Sequence, residues 1–383
     1  MKKLTFPHLI FGLILLAFVG YALRFIYLTS FVIHGQRYFA LFDDAMISMT
    51  FAKNLAAGHG LVWNPGERVE GFTNPGWVVF MALFHLLPIP APKISLLIQL
   101  SGLAILAANL FFVRKIARHL AGNEWVALGA VFLAAFFFSL NNWTLQGMEV
   151  GALALVTSVA AWLALRQTES GRFDPWLYVL LAAGTLIRMD MAVPALVITG
   201  FTALTDRPNR RKHLIWGLGL LFAFLLGQTV LRRWYYGEWL PNTYYLKLGG
   251  LSLVSRVRRG FGVFWQLVWT TGWFLFAVPL LAFFLKPTRA TFLLFALFAG
   301  QVAYSIYVGG DAWEHRGGAN RFIAIAMPQF FAVFCYALEL ARQALVAASP
   351  KWPVWAGHTS RVGMLAFVGL SLFSFNTILT NDP

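Results

Sequence analysis

The 383-residue chain is 59% hydrophobic and 12% charged, with a mean hydropathy of +0.68, about half the charge of an ordinary soluble domain, which excludes a soluble monomer. Its net charge is +15, with Arg and Lys largely beside the ends of apolar runs; no basic-aromatic surface of useful length separates those runs, so the excess points to lipid headgroups or an anionic substrate and away from nucleic acid. Cys335 is the single cysteine, which excludes intramolecular disulfides and cysteine-based zinc sites.

Membrane-length apolar runs recur from end to end, which predicts an all-α polytopic membrane protein. The first, about 8–32, follows Lys2 and Lys3. It exceeds the apolar core of a signal peptide and no small-x-small site ends it, so it reads as a retained span. Segment 33–92 comes next and holds the densest polar chemistry. Further spans are predicted near 94–113, 124–141 and 148–165. Two shorter apolar pieces, 176–187 and 191–205, surround Arg188 and Asp190: either they cross as a pair with the charged link near the outer surface, or they are broken helices inside the bundle. Spans near 214–231, 261–285, 290–308, 320–342 and 362–379 complete about eleven crossings of one transmembrane domain, 1–383.

Short links rich in Arg and Lys, including Arg114, Lys115, Arg118 and Arg207 through Lys212, mark the cytoplasmic side. Nine of the 15 acidic residues fall on the other side: Asp43, Asp44, Glu67, Glu70, Glu149, Asp190, Glu238, Asp311 and Glu314. This crowding suggests that chemistry faces outward, on segment 33–92 and on loops 232–260 and 309–319.

Asp43 and Asp44 precede a helix-compatible run ended by Gly58 and Gly60. One aspartate suits the helix N-terminus, where backbone N–H groups lack partners. The other reading is a carboxylate that acts as general base on a hydroxyl, and adjacent carboxylates point apart, which suits divided roles. The Pro-Gly and Asn-Pro pairs of 59–77 predict a folded loop held near the membrane by Trp63, Phe72 and Trp77. Glu67, Arg68 and Glu70 either lock that loop by ion pairs or meet substrate; Thr73 and Asn74 either cap the helix beginning near Pro75 or meet substrate. Arg188 needs a partner at membrane depth, which Asp190 supplies unless a substrate phosphate does. Tyr235, Tyr236 and Tyr244 form an interfacial belt or line a sugar cleft, with Asn242 adding polar reach. His315 lacks the spacing of a metal site and suits a hydrogen bond to substrate.

The run from Asp43-Asp44-Ala45-Met46-Ile47-Ser48 through Gly58-His59-Gly60 and Glu70-Gly71-Phe72-Thr73-Asn74-Pro75 closely resembles the first periplasmic loop of the mycobacterial terminal arabinofuranosyltransferases and their bacterial relatives, polyprenyl-phosphate-dependent glycosyltransferases of the C superfamily. Residues 234–247 resemble a second block of that family and Gly309-Gly310-Asp311 a third; together they cover under a fifth of the chain. The resemblance implies a C-superfamily bundle with a structured first periplasmic loop in the bacterial cytoplasmic membrane. It implies inverting transfer of a sugar, arabinofuranose by the loop likeness, from a polyprenyl phosphate to an acceptor hydroxyl outside. The family's base is an aspartate of this loop, which maps onto the Asp43/Asp44 pair, with Asp44 favoured as base and Asp43 as orienter. Cations near the outer surface are expected to stabilise the departing phosphate, with Arg188, Arg316 and Arg321 as candidates. Sugar contacts are expected from His59, Glu70, Thr73, Asn74, Tyr235, Tyr236, Asn242, Tyr244, Asp311 and His315.

The chain departs from the mycobacterial enzymes in lacking a large C-terminal soluble domain, which favours a short glycan, lipid-linked saccharide or exported protein as acceptor. No cofactor is expected; Asp43, Asp44 and Asp311 would hold a divalent ion only if their loops converge. Mannosyl or other hexosyl transfer is the alternative enzyme, and a lipid-linked sugar transporter, signalled by broken charged helices, the alternative class.

Overall fold

The structure, a computed structural model, describes residues 6–242, 244–245, 252–311 and 320–348. Among these, six helices are long and apolar enough to cross a membrane, or eight if each of two bent pairs is one span. The protein is therefore a multi-pass membrane protein. The expected eleven crossings are not reached: the span at 362–379 lies outside the described residues, and 176–187 and 191–205 form helices too short for the count.

The chain divides into two compact units. One holds Val19–Leu106 and Asn142–Leu253. In it the end of α1 (Phe6–Leu28) leads into an unexpected hairpin, β1 (Phe31–Ile33) with β2 (Gln36–Tyr38). His34 and Gly35 both take positive φ, the geometry of a tight two-residue hairpin turn. Next come α2 (Asp43–Ala56) and α3 (Pro75–His85), then α4 (Ala91–Ala121), which runs on into the other unit. The buried face of α2 is Ala45, Ser48, Met49 and Ala52 with Phe51, the three- and four-residue spacing of one helical stripe, and it packs on α3. Between the spans predicted near 124–141 and 148–165 the chain forms a further short helix, α6 (Phe138–Leu145).

After α7 (Val150–Ser170), α8 (Trp176–Ile187) and α9 (Ala192–Thr205) fold back on each other: the Tyr178 hydroxyl, near the start of one, lies 3.0 Å from Thr202 Oγ1, near the end of the other. Arg188 and Asp190 sit at the tip of this antiparallel pair. At the opposite end, the imidazole of buried His213, in α10 (Arg210–Tyr236), bridges Tyr178 (2.5 Å) and Asp206 (3.0 Å), stapling α8, α9 and α10 together.

The other unit takes residues to Phe18, Ala107–Asn141 and those from Val254 onward. The second half of α4 and α5 (Glu124–Ala135) are tied by Arg114, which donates twice to Glu124 and covers the Phe11 ring. Met327–Ala348 packs on α5 through Gly129, whose missing side chain admits the Cys335 sulfur. The predicted span 261–285 is corrected to two pieces, Leu253–Thr271 and Phe274–Leu285, which meet at 103°. Continuous hydropathy hides the break, which Gly272 makes with a φ of 99°.

Candidate active site

Asp43 and Asp44 fill the first turn of α2, where unpaired helix N–H groups favour carboxylates. Neither is the N-cap, which is Phe42. Asp43 is exposed and its carboxylate turns back to accept the Asp44 N–H at 2.7 Å; Asp44 is half-buried.

One turn further on, Ser48 begins a buried polar chain. Its hydroxyl donates to Asn74 Oδ1 at 3.1 Å, and Asn74 Nδ2 donates to Glu149 Oε2 at 2.9 Å. Glu149 Oε1 accepts from Arg188 Nη1 at 2.8 Å. Arg188 then forks onto Asp190, Nε to Oδ1 at 2.8 Å and Nη2 to Oδ2 at 2.7 Å. All five residues are buried. Asn74 therefore does not cap α3 with its side chain, correcting the capping expectation: both ends of its amide are committed elsewhere. Arg188 thus stands against two carboxylates, Glu149 and Asp190.

The loop after α2 is fastened from both sides. Asn54 Nδ2 donates to the carbonyls of Val62 (2.9 Å) and Trp63 (2.7 Å). From α10, the Tyr235 hydroxyl accepts the Leu61 N–H at 3.2 Å and the Tyr236 hydroxyl donates to the Leu61 carbonyl at 2.7 Å. Both tyrosines thus hold loop backbone, and a Cβ at Gly60 would run into the Tyr235 hydroxyl. Arg68 lies over the Tyr235 ring at 4.7 Å. Glu70 takes the locking role, accepting from Arg232 Nε at 2.7 Å in a buried pair; burial pushes its carboxyl above the ordinary range, although the Arg232 charge and hydrogen bond pull the other way. His59, Asn242 and Tyr244 are exposed and Thr73 is half-buried.

In the other unit, buried Asp311 accepts the Arg321 N–H at 3.1 Å and lies 3.3 Å from Arg321 Nε. Arg259 donates to the carbonyls of Gly309 (2.7 Å) and Asp311 (3.2 Å). Arg256, one turn before it, lies over the Tyr307 ring at 5.1 Å, and its Nε and Nη1 are buried without a hydrogen-bond partner among the described residues. Among the described residues, Arg256, Arg259 and Arg321 thus gather where Tyr307, Gly309 and Asp311 lie. His315 and Arg316 lie outside the described residues. Among the described residues, no three His, Cys, Asp or Glu side chains are grouped as they would be to hold a metal ion.

Sequence reasoning missed Arg232, Arg256 and Arg259. The signal for the last two was the spacing of three residues in Arg256-Val257-Arg258-Arg259, which places both on one helical face, but those residues were assigned to a loop. Glu149 was noted only as one of the outward acidic residues.

No family model matches the chain. Over 248 residues it is 25% identical to a terminal β-(1→2)-arabinofuranosyltransferase of Mycobacterium tuberculosis, covering 59% of this chain and 39% of that protein. The chain thus spans about two fifths of the length of the curated relative it matches. Among solved structures, ArnT of Cupriavidus metallidurans bound to undecaprenyl phosphate aligns with a TM-score of 0.58 at 12% identity, over 95% of this chain and 75% of that one. The apo oligosaccharyltransferase of Archaeoglobus fulgidus aligns with a TM-score of 0.57 at 11% identity, over 98% and 56%. At these identities the likeness is one of fold: the chain shares the membrane fold of these two structures.

Proposed function

We propose that the protein transfers arabinofuranose from a polyprenyl phosphate to an acceptor hydroxyl, with inversion at the anomeric carbon, on the outer side of the bacterial cytoplasmic membrane. Asp44 takes the proton of the acceptor hydroxyl as its oxygen attacks the anomeric carbon. The bond from that carbon to the phosphate oxygen breaks, and the lipid phosphate leaves with the electron pair. Arginine guanidiniums are the natural partners of the charge it gains. Arg256, Arg259 and Arg321 are candidates for that task, beside Arg188 and Arg316. The acceptor is a periplasmic glycan, a lipid-linked saccharide or an exported protein.

The observation that carries this reading is the mounting of Asp44: a carboxylate in the first turn of a helix whose next turn is bonded into a buried polar chain. The C-superfamily fold supports the lipid phosphate, since ArnT of that fold binds undecaprenyl phosphate. The arabinofuranose assignment is supported by the loop resemblance and by the M. tuberculosis relative.

The test is turnover by the purified protein with synthetic polyprenyl-phosphate arabinofuranose, and with the matching mannose lipid in parallel, on a short arabinofuranoside acceptor. Product from the arabinose lipid alone is expected. Product from the mannose lipid alone would replace the sugar, and no product from either would end the reading.

A further inference from the structure

We infer that residues 143–149 form a mount that fixes the Asp44 carboxylate, and that Asn74, Glu149 and Arg188 serve the reaction only through this mount, as positioning residues. The inference rests on the reading of Asp44 as the base.

Two attachments to this one segment bracket Asp44. Before it, the Phe42 N–H donates to the Gln146 carbonyl at 2.9 Å and the Phe42 ring meets Trp143 edge-on at 4.9 Å. Leu41 lies against Gly147, where a Cβ would come within 2.8 Å of Leu41 Cδ2. After it, Ser48 reaches Glu149 through Asn74. Six residues separate the attachments at 42 and 48, less than two turns of helix. A first helical turn held just before Asp44 and again one turn after it can neither rotate about the helix axis nor slide, so the direction of Asp44 is set from residues 143–149.

The middle link is held in turn. Trp77 Nε1 donates to the Gly147 carbonyl at 2.9 Å, and Gly76 sits so close to the tip of α8 that a Cβ there would lie 2.9 Å from the Leu186 carbonyl oxygen. Asn74 is the residue type the position requires. The Glu149 carboxylate, paired with Arg188, accepts, so the amide donates to it from Nδ2 and Oδ1 is left to accept from Ser48. Arg188, 2.8 Å from Glu149, supplies the countercharge that a buried carboxylate needs.

Exchange of the two side chains tests this. Asn74→Asp alone sets two carboxylates against each other and is expected to lower kcat about 100-fold, as a displaced catalytic group does, with KM for synthetic polyprenyl-phosphate arabinofuranose within about twofold. Asn74→Asp combined with Glu149→Gln rebuilds the chain in reverse: the new carboxylate at position 74 accepts from both Ser48 and the new amide at position 149, and the oxygen of that amide accepts from Arg188. It should return kcat to within about tenfold of the parent. Full kcat in the single variant, a raised KM at unchanged kcat, or a double variant no faster than the single would each overturn the inference. If Asn74→Asp does not fold, Ser48→Ala carries the test, since it removes one neutral hydrogen bond: a severalfold lower kcat at unchanged KM supports the mount, and unchanged kcat overturns it. An active Asp44→Asn would defeat the reading of the base, whereas an inactive Asp44→Asn beside a fully active Asn74→Asp defeats the mount alone.

Discussion

Arg188 and Glu149, 39 residues apart in sequence, meet through a single contact of 2.8 Å between Nη1 and Oε1, and both are buried. That contact joins the tip of the α8–α9 pair to the segment on which the first loop is hung. A guanidinium at such depth is tolerable only when paired, and here it is shared by two carboxylates.

Removing this charge leaves Glu149 and Asp190 facing each other. Arg188→Met is expected to destabilise the protein by about 3–5 kcal/mol, measured by denaturant unfolding in detergent. Arg188→Lys keeps the charge and loses the fork, so its effect should be smaller; equal and negligible effects from both would contradict the pairing.

Gly76 tests the close approach of α3 to α8. Gly76→Ala forces a methyl against the Leu186 backbone and is expected to destabilise by about 1–3 kcal/mol. Gly12→Ala, with nothing within 4 Å of the new methyl, is the control and should leave the melting temperature unchanged.

Some of this was legible in the sequence. Asp43 and Asp44 ahead of Ala45, Ser48, Met49 and Ala52 announced α2, and the turn pairs between Gly58 and Pro75 announced a folded loop. The need of Arg188 for a partner was legible because Asp190 lies two residues away; Glu149 was not, since only the tertiary fold brings it there. The bend at Gly272 was hidden because the apolar run on either side is unbroken and hydropathy reports burial, not direction. The hairpin at His34 and Gly35 was missed because its strands are three residues each and carry no alternating pattern.

At the other end of α8, Asp206 accepts from His213 and Asn209. Burial alone would raise its carboxyl, but these hydrogen bonds more than reverse that and hold it below its ordinary value of 3.8. The unfolded chain therefore binds more protons across that window. Stability from this group should be complete above pH 3.8 and lost as the pH falls through the lowered value. Asp206→Asn should flatten the acid limb of the stability curve; an unchanged limb would contradict the assignment.

The arginine group of the other unit makes a kinetic prediction. Arg256→Gln is expected to raise KM for the polyprenyl-phosphate donor about tenfold, the scale of one hydrogen bond to a charged group. Arg258→Gln, one residue off the face that Arg256 and Arg259 share, is the comparison. Equal KM values in the two variants would remove Arg256 from phosphate binding.

The central claim is that Asp44 removes the acceptor proton. The most direct measurement is single-turnover transfer by Asp44→Asn, which keeps size and hydrogen bonding and loses basicity, alongside donor binding by the same protein. A rate lower by about 10²–10⁴-fold, the range that general-base catalysis supplies, with donor affinity unchanged, is the expected result. A rate within a fewfold of the parent would contradict the account.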